Sequence, residues 1–129
     1  MIAAAATERL RHPVAFEAVV TRDLESRTVA VMPADSGGQA GRLWSRGYRA
    51  LAEAEGNRRS TVPTPWGHVG RRRQVARGAP GEGGTLRFRF PPGEAAWSEL
   101  VSMPALGATV TLDRDTGAFL GCLFHGRRT

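Results

Sequence analysis

The stretch Ala108-Thr109-Val110-Thr111-Leu112-Asp113-Arg114-Asp115-Thr116-Gly117-Ala118-Phe119-Leu120-Gly121-Cys122-Leu123-Phe124 decides the fold class. Both ends are rich in β-branched and aromatic residues, and the five residues between them are turn formers. The stretch therefore reads as a β-hairpin, with Gly117 suited to the left-handed position of a bulged turn. Pairing Leu112 with Ala118 sets Val110 against Leu120 and Ala108 against Cys122, which makes one continuous apolar face.

Upstream, Thr85-Leu86-Arg87-Phe88-Arg89-Phe90 alternates cleanly, with Leu86, Phe88 and Phe90 facing a core and Arg87 and Arg89 facing out. Val14 to Val20 alternates in the same way, with Val14, Phe16, Ala18 and Val20 on one side. Thr28 to Met32 reads as its hairpin partner across a long polar tip, and Pro33 stops it. A helix is expected from Arg42 to Glu55, closed by Gly56 and Asn57, with Leu43, Gly47, Ala50, Leu51 and Ala54 on one face. A second helix is expected from Ala95 to Met103, with Trp97, Leu100 and Val101 as its apolar stripe. Residues 57–70 read as irregular and Arg71 to Arg77 as an exposed strand.

No internal repeat is found. The chain is thus expected to be mainly β, with α+β as the alternative. Its architecture would be a small, partly open β-barrel or a curved antiparallel sheet built from hairpins, with two short helices. The 129 residues make a single domain, 1–129, large enough to bury about two-thirds of the surface its unfolded chain exposes. Within it, 1–12 reads as an N-terminal arm or short helix and 57–84 as a long basic connection containing Gly and Pro.

Composition excludes several chemistries. All 18 basic residues are arginine, so there is no Walker-A, Schiff-base or kinase-type lysine. The preference reads as GC-rich codon usage of bacterial type. A single cysteine, Cys122, excludes an intrachain disulfide and any multi-cysteine metal site. No stretch is apolar enough to span a membrane and the first residues lack a signal-peptide pattern, so a cytoplasmic location is expected.

Charge is unevenly spread. Between Arg42 and Arg89 there are eleven arginines and three acids, a local balance of +8, and no acid lies between Gly56 and Gly81. A basic block of this kind suits a polyanion. The candidate anion-binding residues are Arg71, Arg72, Arg73, Arg77, Arg87 and Arg89, with Trp66 and His68 as candidate stacking platforms for bases. Arg73-Gln74-Val75-Ala76-Arg77 resembles the Arg-x-x-x-Arg half of the cyclic-dinucleotide motif of PilZ domains, themselves small β-barrels. Nothing after Arg77 matches the motif's other half, so the chain is not assigned to that family.

Other constellations carry less. Cys122 and His125 have a metal-like spacing, but alternation along a strand points them to opposite faces. Asp113 and Asp115 resemble the start of a calcium loop without its remaining ligands, and turn chemistry accounts for both. No catalytic residue, metal site or cofactor is expected. The leading expectation is a non-catalytic binding module presenting an arginine-rich face to nucleic acid or an acidic protein surface. Next is a structural subunit of a larger homo- or hetero-oligomeric assembly, and last a small enzyme or nucleotide-sensing barrel.

Overall fold

The computed structural model describes residues 11–70 and 74–126. Seven strands form a closed barrel: β1 (Pro13–Asp23), β2 (Thr28–Pro33), β3 (Trp66–Val69), β4 (Ala76–Pro80), β5 (Leu86–Arg89), β6 (Leu106–Asp113) and β7 (Phe119–Gly126), in the order β1-β2-β5-β4-β3-β7-β6. Among the described residues two helices complete it, α1 (Gly38–Ala54) and α2 (Ala95–Ser102). Of the two architectures the sequence allowed, the barrel is the one formed.

Closure depends on the length of β1. Its first half pairs with β6, through Pro13–Val19, and its second half with β2, through Ala18–Asp23. One strand thus joins both ends of the sheet, and the stagger between the two pairings supplies the shear a small barrel needs. The even-numbered side chains of β1 face inward, as their alternation predicts. The strand continues past Val20 to Asp23, so the tip is the short turn Leu24–Arg27, with Arg27 in the left-handed region at φ 54°.

The β6–β7 hairpin forms, but in a different register from the expected one. Leu112 pairs with Phe119, Val110 with Cys122 and Ala108 with Phe124. A bulge between Thr111 and Leu112 absorbs Leu120, so Phe119, Cys122 and Phe124 all face the core. Packing decides this: the bulge turns Phe119 inward beside Cys122 and Phe124, where the simple register would have buried Ala118 and Leu120 in its place.

A second departure is the parallel pair β3–β7, in which Gly67 faces Cys122 and Val69 faces Phe124. Its cause is α1, which follows β2 across one end of the barrel and delivers the chain to the end where β7 also starts. The stretch 57–84, expected to connect, therefore supplies β3, β4 and the short 3-10 turn Glu82–Gly84. Short strands, each with a glycine at one of its inward positions, leave almost no hydrophobic period to read. Those glycines create room: a Cβ on Gly67 would meet the Phe124 and Phe88 rings, and one on Gly78 would meet Phe88 and the Pro65 carbonyl.

Aromatic rings pack against one another within the core. Phe88 and Phe124 pack edge-on at 5.2 Å, and Phe90 bridges Phe124 to Trp97 of α2, with ring centroids 6.0 and 5.6 Å away. Phe88, Phe90 and Phe124 are completely buried. Burying a side chain of this size stabilises the fold by roughly 1.5–3 kcal/mol.

Each barrel end is plugged by a helix. α1 begins at Gly38, four residues before the expected start, and buries Gly41, Leu43, Trp44, Gly47 and Leu51. Trp44 stacks edge-on against Phe119 at 4.9 Å, and its indole N–H donates to Gly84 O at 2.8 Å. The Tyr48 hydroxyl donates to Gly81 O at 2.7 Å, so α1 is tied to the β4–β5 connection. α2, started by the Glu94 carboxylate accepting from Ala96 N, closes the other end with Ala96 and Leu100. Val101, expected in its apolar stripe, is instead exposed, because eight residues present only a narrow inward face. No helix among the described residues is long and apolar enough to cross a membrane.

Candidate functional site

Sheet register gathers all three arginine candidates that the structure describes, Arg77, Arg87 and Arg89. Thr28 pairs with Arg89 and Ala30 with Arg87 across β2–β5, while Ala79 pairs with Arg87 across β4–β5. The β4–β5 pairing of Gly78 with Phe88 then brings Arg77 beside Arg89 on the outer wall, since in both strands the alternate residues point inward. Across the next pair of strands Trp66 sits opposite Arg77. Arg89, Arg77 and Trp66 thus follow one another on three adjacent strands.

Arg77, Arg87 and Arg89 are exposed and line one cleft of about 760 Å³ with Thr21, Asp23, Thr28, Ala30, Ala79 and Glu82. Small residues form its floor, so the cleft exists because Ala30 and Ala79 leave the wall low between longer side chains. Among the described residues, no ion pair engages any of the three guanidinium groups. Among the described residues, Asp23 and Glu82 are the acids that line this cleft.

Arg77 also borders a second hollow of about 560 Å³, between the end of α1 and β4, lined by Asn57, Arg58, Ser60 and Thr64 among others. Arg58 therefore lies beside Arg77's hollow, with Glu55 also in its lining. Its place at the head of the acid-free block was visible in the sequence, but its proximity to Arg77 depends on the packing of α1 against β4. Of the remaining candidates, His68 is half-buried on the outer side of β3, one pleat beyond Trp66 and beside Leu123 of β7. Arg71, Arg72 and Arg73 lie outside the described residues, and so does the first arginine of the Arg-x-x-x-Arg pattern.

The structure assembles one trio that sequence spacing concealed. His12, Asp113 and Asp115 bring ligand atoms within 4.8 Å of one another. His12 Nδ1 donates to Asp115 Oδ2 at 2.6 Å, and the Asp113 carboxylate accepts from Thr116 Oγ1 at 2.7 Å and from His12 N at 3.1 Å. Burial works to raise the Asp113 pKa. Its hydrogen bonds to the Thr116 hydroxyl and to the His12 and Asp115 amides, with the His12 charge, outweigh burial and hold the carboxyl below its ordinary value. Both Asp113 oxygens are thus already engaged, and the trio fastens the chain entering β1 to the β6–β7 turn.

Cys122 is buried, and desolvation pushes its thiol far above the ordinary range. His125 lies on the opposite face, as alternation requires: Thr109 Oγ1 is 3.1 Å from its Nε2, and its Nδ1 donates to Gly126 O at 3.0 Å. Neither Asp113 nor Cys122 lines the arginine cleft, the Arg58 hollow or the apolar cleft beside α1, which is about 640 Å³ and lined by Met32, Trp44 and Tyr48. Among the described residues, the two groups with displaced ionisation thus lie in a turn, Asp113, and in the core, Cys122.

Comparison with protein-family models, curated proteins and solved structures finds no match for this chain.

Proposed function

We propose that this barrel is a non-catalytic binding module that holds nucleic acid through its phosphate backbone, with Arg77, Arg87 and Arg89 as the contacts. The observation that carries the reading is the register of β2, β5 and β4. It sets three exposed guanidinium groups, none in an ion pair among the described residues, side by side in one cleft. Paired strands fix the spacing of the three side chains at the backbone, and the planar guanidinium fork matches phosphate geometry. Arg58 adds a fourth cation on the far side of Arg77.

The test is fluorescence anisotropy of labelled DNA and RNA with wild-type protein and with Arg77, Arg87 and Arg89 changed together to alanine. Three phosphate contacts give a logarithmic salt dependence with a slope of about −2 to −3. Wild-type binding should weaken accordingly between about 50 and 200 mM salt and be lost in the triple variant. Absence of binding by wild type at the lower salt sinks the proposal.

A second reading, a subunit of a protein assembly, draws on one apolar feature. Val19 and Met32 are direct cross-strand partners, yet 42% and 45% exposed, and Met32 borders the apolar cleft beside α1. Light scattering after size exclusion checks it. An oligomer dispersed by Met32→Glu favours this reading, and a monomer at high concentration counts against self-assembly.

A further inference from the structure

Resting on the phosphate-contact reading, the geometry points to single-stranded nucleic acid as the ligand, with Trp66 stacking on an unpaired base beside the Arg77 guanidinium. Trp66 and Arg77 are register partners on β3 and β4, and both lie on the outer wall of the barrel. Adjacent strands are about 4.8 Å apart, so the indole and the basic track are separated by no more than one nucleotide's reach. Along β5, Arg87 and Arg89 are two residues and about 6.7 Å apart, which lets each engage a separate phosphate of one backbone.

The breadth of the track sets the limit. From β5 to β3 is two strand spacings, about 10 Å, room for one phosphodiester chain. On the β1 side the cleft is fenced by Asp23, and Glu82 stands at its β4–β5 end. These carboxylates repel a second backbone, so a duplex laid across the cleft places one of its strands against acids. The described helices plug the barrel ends, and neither carries arginines of this cleft, so no helix from it is offered to a major groove. An aromatic platform beside an electropositive strip suits bases that are already unstacked.

The experiment compares a labelled oligothymidylate with a mixed-sequence duplex of equal length. Wild-type protein, Trp66→Ala, Trp66→Phe and the Arg77/Arg87/Arg89 triple alanine variant are assayed by anisotropy and by quenching of tryptophan fluorescence. Expected are tighter binding of the single strand by about tenfold or more, and a loss of about 5- to 150-fold in Trp66→Ala. Trp66→Phe should keep most of the affinity while losing most of the quenching, a pattern that does not arise from misfolding. Equal affinity for strand and duplex, or unchanged quenching in Trp66→Phe, overturns the single-strand inference and leaves the phosphate-contact reading standing. Failure of wild type to bind either ligand overturns both.

Discussion

Arg22, near the end of β1, donates through Nη1 to Leu100 O at 2.6 Å and also to Met103 O at 2.9 Å, so a barrel strand caps the carboxyl end of α2. The side chain continues the inward face of β1, after Ala18 and Val20, at the point where that face reaches the barrel mouth. A cation there satisfies carbonyls that the helix leaves without partners and complements its dipole. Arg22→Ala should destabilise the protein by about 1.5–3 kcal/mol, the range for hydrogen bonds from a charged donor. Arg22→Met, which keeps the stem, should lose nearly as much in urea unfolding. Stability equal to wild type in both variants counts against the cap.

The contact between α1 and the β6–β7 turn is a backbone contact. A Cβ on Gly47 would collide with the Gly117 carbonyl, and one on Gly117 would lie 2.6 Å from Leu43 O. Gly117 also sits at φ 78°, in the left-handed region. Gly47→Ala and Gly117→Ala should each cost about 1–3 kcal/mol or more, because backbone cannot move aside as a side-chain tip can. Gly121→Ala, whose nearest neighbour is 3.9 Å away, should change stability by no more than about 0.5 kcal/mol. Thermal melts of the three variants test the contrast.

Asp113 makes stability depend on acid. Its folded pKa lies below the ordinary carboxylate value, so between the two values the unfolded chain binds more protons than the folded one. Its contribution is complete above the ordinary value, near 3.8, and is lost as pH falls through the depressed folded one. The urea midpoint of wild type should therefore drop more steeply below about pH 4 than that of Asp113→Asn. Parallel curves would remove Asp113 as the titrating group.

Cys122 should be chemically silent while the barrel is folded. Burial disfavours its thiolate, and the thiolate is the reactive form. Modification by a disulfide reagent at mildly alkaline pH should proceed only through unfolding and accelerate sharply in urea. Fast labelling of the folded protein would show the site to be open.

Salt dependence distinguishes the arginines. Changing Arg77, Arg87 or Arg89 singly to alanine should shallow the logarithmic salt slope of single-strand binding by about 0.7 each. Arg114, in the β6–β7 turn and 3.7 Å from Asp115, should leave the slope unchanged when replaced. Slopes from anisotropy titrations at several salt concentrations provide the comparison.

Much of the scaffold was legible from local chemistry. The alternation in Leu86-Arg87-Phe88-Arg89 and the turn residues Asp113 to Gly117 specify strands and a hairpin without reference to the rest of the chain, because a pleat has period two and tight turns need particular backbone angles. The outward direction of Arg87 and Arg89 came from the same period. β3 was not legible, since its four residues carry glycine and histidine where a period would show.

The sequence by itself determined a β-rich single chain with a concentrated arginine block and no lysine chemistry. Only the tertiary structure decided that Leu120 is bulged out so that Phe119 can join Cys122 and Phe124 in the core. It also decided that α1 crosses one end and sets β3 parallel to β7, and that Trp66, Arg77 and Arg89 meet on one wall. The reason is physical: a strand's own period says which side chains share a face, but which strands lie beside it is set by how the whole core packs and closes.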